Sequence, residues 1–160
     1  MRRALLLLIV MLAPATLHAK AGMGLLGGAV LPHGNRAGYD VSVSGAYVVD
    51  LPVYSAFHLM PYAEIYKLRP TNGTGSYTTD AGLGFNFVVR TVPLRPLFGF
   101  TVGATPVYDS VRLDVGFQAG VQWKLVANFS LLFLARYNIA IGENDNLKRF
   151  HMGAGFLFDL

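Results

Sequence analysis

Residues 112–125 read RLDVGFQAGVQWKL, and apolar side chains occupy every second position from Leu113 to Leu125. The intervening positions carry charged residues, glutamines and glycines. Successive side chains of a strand point to opposite faces, whereas a helix would scatter these apolar residues around its circumference. The segment therefore predicts a β-strand with one apolar and one polar face.

The same period of two recurs along most of the chain. It predicts strands at residues 22–31, 39–47, 53–67, 77–90, 95–105, 112–125, 129–139 and 150–160, the first too glycine-rich to orient. Tight turns are predicted at 50–52, 91–94 and 126–127, and longer loops at 32–37, 69–75, 106–110 and 142–147. Short turns on one rim and longer loops on the other are typical of transmembrane barrels. We therefore predict an all-β fold, an eight-stranded antiparallel up-and-down transmembrane barrel.

The composition agrees with a membrane location. Of the 160 residues, 53% are hydrophobic and 14% are charged, against about 25% charged in a typical soluble domain. This shortage of charge indicates that much of the surface does not face water. The chain has no cysteine, which excludes disulfides, thiolate metal sites and cysteine nucleophiles.

The nature of the polar face indicates which face points outward. A soluble barrel holds its apolar face inside, and its outer face would then need many charges. Here the polar face is chiefly Gly, Ser, Thr, Asn and Gln. Because an eight-stranded lumen is narrow, small residues fit inside it and bulky apolar residues meet lipid. Aromatic residues near strand ends are expected to form interfacial girdles: Tyr39, Tyr47, Tyr66, Tyr77, Trp123 and Tyr137.

The N-terminus has the pattern of an export signal. Arg2 and Arg3 precede an apolar run of ten residues, and Ala19-Lys20-Ala21 fits a cleavage site. The run is too short for a membrane anchor, which needs about 20 residues. We predict a signal peptide at residues 1–21 and a barrel domain at 22–160. Without the leader ten basic residues face nine acidic ones, so the charge does not indicate a nucleic-acid partner.

The leader, the eight strands, the short turns and the aromatics of the final strand (Phe150, Phe156 and Phe158) resemble the OmpA-barrel and OmpX-type superfamily. The resemblance implies a location in the outer membrane of a Gram-negative-type bacterium and insertion by the barrel-assembly machinery. It covers the whole predicted barrel domain. Members usually end on an aromatic residue, whereas this sequence ends on Leu160. We expect a monomer in contact with outer-membrane lipids.

Charged residues on the polar face form the first candidate site. A charge in a narrow lumen is costly unless it is paired, so we predict a salt-bridge network centred on Arg136, with Glu64, Asp80 and Asp114 as its partners. A network of this kind would seal the lumen. The alternative is a narrow ion-conducting channel.

Basic residues of the outer rim form the second candidate site. Lipopolysaccharide presents phosphates at this level, and Arg or Lys pairs well with phosphate. The candidate lipopolysaccharide-contacting residues are Arg36, Lys67, Arg69, Lys148 and Arg149.

No catalytic, cofactor-binding or metal-binding residues are predicted. Residues 22–27 spell G-x-G-x-x-G but lack the strand and helix that a dinucleotide site requires. His33, His58 and His151 raise the alternative of a lipid A hydrolase or acyltransferase, yet a general base needs a nucleophile within hydrogen-bond reach. His58 and His151 point inward by parity. The sequence therefore favours a non-enzymatic barrel with a structural role in the envelope.

Overall fold

The computed structural model describes residues 20–33, 40–69, 74–90, 93–107, 110–142 and 146–160. Eight strands run through these ranges: β1 (Gly22–His33), β2 (Ser42–Tyr54), β3 (Phe57–Leu68), β4 (Ser76–Val88), β5 (Leu94–Val107), β6 (Ser110–Val126), β7 (Phe129–Ile141) and β8 (Leu147–Asp159). Each strand pairs antiparallel with the next, and β8 pairs with β1, so the sheet closes. The predicted eight-stranded up-and-down barrel is confirmed. In the described ranges no helix is long and apolar enough to cross a membrane.

Side chains alternate between the outer face and the lumen, as the period of two predicts. Large apolar side chains are exposed on the outer face: Leu25, Val43, Phe85, Phe98, Phe117, Trp123, Phe133 and Phe156. Polar side chains are buried in the lumen, among them Thr101, Gln118 and Asn138. The structure also orients β1, whose Leu26 and Val30 face the lumen while Met23 and Leu25 face outward.

The ends of several strands differ from the prediction. β2 continues through Pro52 to Tyr54, so the turn lies at Ser55 and Ala56 and not at residues 50–52. A register shift between Pro52 and Tyr54 accommodates the proline, as β-bulges commonly do. The predicted loop at 106–110 is also wrong, because β5 and β6 remain paired as far as Val107 and Ser110. Proline was interpreted as a turn signal, but it is tolerated where its missing N–H is not needed.

The lumen is less polar than predicted, because two clusters of apolar side chains lie inside it, one on each side of a charged layer. The turn-end cluster consists of Leu26, Val48, Met60, Tyr62, Val88, Leu97, Leu132, Leu134 and Leu157. The loop-end cluster consists of Val30, Tyr66, Leu68, Val107, Ala140 and Leu147. Val88 ends β4 at a short turn, whereas Leu68 ends β3 at a long loop. The two clusters therefore leave a separate polar layer between them.

Most of the predicted signal peptide, together with Arg36 and Tyr39, lies outside the described residues. β1 begins at Gly22.

Candidate functional site: a charge network in the lumen

Five strands direct ionisable side chains into the layer between the two apolar clusters. The ionisable residues of this layer are Glu64 and Tyr66 of β3, Asp80 of β4, Asp114 of β6, Arg136 of β7, and Arg149 and His151 of β8. None of these residues is more than 4% exposed. They meet because each has the inward parity of its own strand, and because closure of the barrel brings the strands around one axis.

Arg149 is the residue with the most contacts in this layer. Its Nη1 lies 2.8 Å from both carboxylate oxygens of Asp80, and its Nη2 lies 2.6 Å from Oδ2 of Asp114. Nη2 also donates to Oγ1 of Thr105 at 3.0 Å, and Nη1 donates to the hydroxyl of Tyr66. The planar guanidinium suits this arrangement, because it offers five donors in a fixed fork.

Arg136 forms a second centre with Glu64. Its guanidinium carbon lies 3.9 Å from the ring centroid of Tyr62, in cation–π geometry. His151 connects the two centres. Its Nδ1 lies 3.0 Å from Oε2 of Glu64, and its Nε2 lies 3.9 Å from Oδ2 of Asp80.

Both arginine pairs join opposite walls of the barrel. Arg149 on β8 pairs with Asp80 on β4, and Arg136 on β7 pairs with Glu64 on β3. In a closed ring of eight strands, each of these pairs is four strands apart. The ion pairs therefore cross the lumen and do not follow its wall.

Uncharged polar groups also donate to the carboxylates of this layer. Asn138 Nδ2 and Thr105 Oγ1 each lie 3.0 Å from Oδ2 of Asp114 and donate to it. The hydroxyl of Tyr66 donates to Asp80 at 3.0 Å. Buried carboxylates need such donors, because a buried charge with unmatched lone pairs is destabilising.

The structure brings the four predicted network residues into the lumen but distributes them over two centres. Arg136 contacts Glu64, whereas Asp80 and Asp114 are held by Arg149. Arg149 was not predicted to be a lumen residue because the predicted last strand began at Phe150. β8 begins three residues earlier, and the odd parity of residues 151–159, extended backwards, places Arg149 inward.

The predicted outer-surface locations of two residues are therefore wrong. Arg149 is fully buried and cannot belong to a lipopolysaccharide-contacting rim. Tyr66 is 1% exposed and belongs to the lumen rather than to an aromatic girdle. It was assigned by residue type, although the even-numbered positions of β3 face inward.

The other described rim residues lie on the outside. Lys67 is exposed, with Nζ 5.7 Å from the ring centroid of Tyr77. Arg69 is exposed just after β3, with Nε 4.0 Å from Oδ2 of Asp40. Lys148 has the outward parity of its strand and is half-buried.

Donor atoms of Glu64, Asp80 and His151 lie within 4.8 Å of one another, a grouping that could hold a metal ion. Each carboxylate, however, already has an arginine as its counter-charge. A cation would have to displace a guanidinium or share its carboxylate. The arrangement is therefore better suited to an internal ion-pair network than to metal binding.

Another histidine–carboxylate pair lies nearer the turn end. Nδ1 of His58 is 2.7 Å from Oδ1 of Asp50, and both residues are buried. Both histidines of the lumen thus contact carboxylates. No hydroxyl is hydrogen-bonded to either histidine among the described residues, so neither is paired with a serine or threonine nucleophile there.

Solved structures share this fold at low sequence identity. Neisserial surface protein A (NspA) aligns with a TM-score of 0.74 and 14% identity over 88% of this chain and 97% of that chain. The N-terminal β-barrel domain of Pseudomonas aeruginosa OprF aligns with a TM-score of 0.52 and 14% identity over 86% of this chain and 97% of that chain. A de novo designed transmembrane β-barrel aligns with a TM-score of 0.53 and 11% identity over 87% of this chain and 95% of that chain. No family model matches the chain, and no curated protein matches its sequence.

The fold is therefore that of the small eight-stranded outer-membrane β-barrels, as the resemblance to the OmpA-barrel and OmpX-type group predicted. At these identities the similarity concerns the fold alone. What the chain does must be inferred from its own residues.

Proposed function

We propose that this chain is a non-enzymatic outer-membrane β-barrel with a structural role in the bacterial envelope, and that its lumen is closed. The observation that carries the proposal is the pair of arginine–carboxylate contacts between opposite walls, Arg149 with Asp80 and Arg136 with Glu64. Ion pairs across a narrow lumen tie its walls together and occupy the space through which an ion would pass.

The apolar clusters add a second barrier at each end of the charged layer. An ion entering from the turn end meets side chains such as Leu132 and Leu157, each 1% exposed. Apolar constrictions block ions by excluding water. A cavity beside Arg136, Glu64 and His151 measures about 20 Å³, which holds about one water molecule. One water does not form a continuous aqueous path.

The outer face supports the membrane location. Bulky apolar side chains are exposed on every strand, and a soluble protein rarely exposes apolar patches of this extent. Together with the fold and the predicted export signal, this supports insertion in the outer membrane. Fractionation of cells that express the full chain, with antibody detection in inner and outer membranes, tests the location directly.

Planar-bilayer recording of the purified, refolded barrel tests the closed lumen. We expect no stable single-channel conductance from the wild type. A stable conductance that disappears in Arg136→Ala or Arg149→Ala, and persists in Arg69→Gln at the exposed rim, would overturn the closed lumen. That result would instead support the alternative of a narrow ion channel gated by the network.

Two of the three histidines that raise the alternative of a lipid A-modifying enzyme are unfavourably placed for it, whereas His33 is exposed at the end of β1. His58 and His151 are buried in the lumen and contact Asp50 and Glu64, away from the lipid-facing surface. Mass spectrometry of lipid A from cells with and without the protein provides the test. A mass change that depends on the protein, such as the loss or gain of one acyl chain, would replace the structural proposal with an enzymatic one.

A further inference from the structure

The seam between β4 and β5 is open at the loop end of the barrel. Their ladder ends at the pair Ala81–Ala104, although β4 begins at Ser76 and β5 continues to Val107. On their other sides both strands remain paired to their ends, with Ser76 opposite Leu68 in β3 and Val107 opposite Ser110 in β6. Residues 76–80, the first five of β4, therefore have no ladder partner in β5.

The hydrogen-bond register shows in which direction each residue of β5 bonds. Lys124 N donates to the carbonyl of Pro93 at 2.9 Å, and Val89 N donates to the carbonyl of Pro96 at 2.8 Å. Bonding alternates along an antiparallel strand. Odd-numbered residues of β5 therefore bond towards β6, and even-numbered residues bond towards β4. Pro106 is even-numbered, so its backbone nitrogen faces β4.

Pro106 explains why the ladder stops. Continued by two residues, the register would place Pro106 opposite Thr79, but proline has no N–H to donate to the Thr79 carbonyl. The carbonyl of Pro106 accepts instead from the hydroxyl of Thr78. Pro106 thus removes one of the two backbone bonds that would continue the ladder.

The open seam forms a groove of about 380 Å³. Its lining combines the polar side chains of Ser76, Thr78 and Thr79 with the apolar side chains of Leu68, Pro106 and Val107, and with the ring of Tyr77. Tyr77 is 75% exposed and faces outward. The groove is therefore amphipathic, and the exposed ring of Tyr77 borders it on the outer face.

A basic side chain stands at the edge of this groove. Lys67 lies opposite Tyr77 in the β3–β4 ladder, and its Nζ is 5.7 Å from the centroid of that ring. No carboxylate of the described residues lies within ion-pair distance of Lys67, whereas Arg69 has Asp40 at 4.0 Å. The ammonium of Lys67 is thus available to an anionic group on a bound molecule.

We propose that this groove binds a phosphorylated glycolipid of the lipid A type. The lipid phosphate pairs with Lys67, and the adjoining part of the lipid lies along Tyr77 in the open seam. The inference rests on the proposed outer-membrane location, because loop-end lysines and tyrosines then lie at the level of the outer-leaflet phosphates. Charge complementarity and the amphipathic lining favour an amphiphile over a free anion.

Native mass spectrometry of the folded barrel in detergent micelles, with diphosphoryl lipid A as the probe, tests the site. We expect the wild type to retain one lipid A molecule, and Lys67→Gln to bind it at least about tenfold more weakly, since a charge-assisted contact is lost. Pro106→Ala restores the N–H and closes the seam, so it should also weaken retention severalfold. Arg90→Gln, which removes an exposed cation at the turn end of the barrel, is the matched control and should bind as the wild type does.

Several outcomes would overturn the proposal. Unchanged retention in both Lys67→Gln and Pro106→Ala would exclude the groove. Equal retention of dephosphorylated lipid A would show that the phosphate is not recognised, and displacement of lipid A by inorganic phosphate alone would show a free-anion site. Heat-dependent gel mobility verifies that each variant is folded. Bilayer recordings distinguish failure of the lipid A site from failure of the closed-lumen proposal. Lys67→Gln and Pro106→Ala should not change the conductance if the charge network closes the lumen.

Discussion

Arg149 and Asp80 form an ion pair across the centre of the barrel in which neither side chain is accessible to solvent. Nη1 of the arginine lies 2.8 Å from both carboxylate oxygens. The two residues belong to β8 and β4, on opposite sides of the ring. The contact therefore restrains the cross-section of the lumen as well as neutralising two buried charges.

Removal of Arg149 should destabilise the barrel strongly. Arg149→Met leaves Asp80 and Asp114 buried without their counter-charge, and breaking a buried pair in this way costs about 3–5 kcal/mol. Urea unfolding in lipid vesicles, followed by the fluorescence of Trp123, measures the free energy of unfolding. Arg69→Met is the control. Its side chain is 64% exposed, so the loss should stay below about 1 kcal/mol. Similar losses in the two variants would argue against the buried network.

Glu64 and Arg136 should be energetically coupled. Each single change, Glu64→Leu or Arg136→Met, leaves one buried charge without its partner. The double variant removes both charges and should be more stable than the sum of the single losses predicts. We expect a coupling energy of about 1–3 kcal/mol in a double-mutant cycle of unfolding free energies. Additive losses would indicate that the two side chains do not act as a pair.

Gly99 should not accept a side chain, whereas Gly153 should. Both face the lumen, but a Cβ at Gly99 would overlap the carbonyl oxygen of Phe85, and a Cβ at Gly153 would have its nearest contact at 3.6 Å, with Leu26. Gly99→Ala should therefore cost about 1–3 kcal/mol through overpacking. Gly153→Ala should change the free energy of unfolding little. A reversed order of stability would contradict the close approach of β4 and β5 at this level.

The turn-end cluster should contribute like the core of a soluble protein. Leu132 is 1% exposed and packs inside the lumen, so Leu132→Ala leaves a cavity and should cost about 2–5 kcal/mol. Leu125 is 44% exposed on the outer face. Leu125→Ala should cost less, because lipid can fill the space. Equal unfolding free energies for the two variants would show that water already enters the lumen beside Leu132.

Much of the barrel could be predicted from local patterns. The alternation around Phe117 and Gln118 specifies which side chains face lipid and which face the lumen, and the structure agrees. The errors came where residue type was given more weight than parity. Pro52 and Pro106 were interpreted as loop residues although both belong to strands. Tyr66 was assigned to a girdle although its strand directs it inward.

The partners in the charge network could not be predicted in the same way. Arg136 and Glu64 are 72 residues apart, and Arg149 and Asp80 are 69 apart. An alternation with a period of two describes neighbouring residues of one strand, and it does not relate residues so far apart in the sequence. Which inward side chains meet depends on the stagger between strands and on the closure of the ring, and both are properties of the whole sheet.

The sequence by itself therefore determined the eight strands, the orientation of all but the first and the apolar outer face, because a period of two is a local property of the extended chain. Only the tertiary structure decided that Arg149 is a lumen residue with two carboxylates, that apolar clusters lie on both sides of the charged layer, and that the β4–β5 ladder stops before Pro106. These features arise when distant strands are brought around a common axis. Contacts across that axis are set by register and closure, and not by neighbours in the chain.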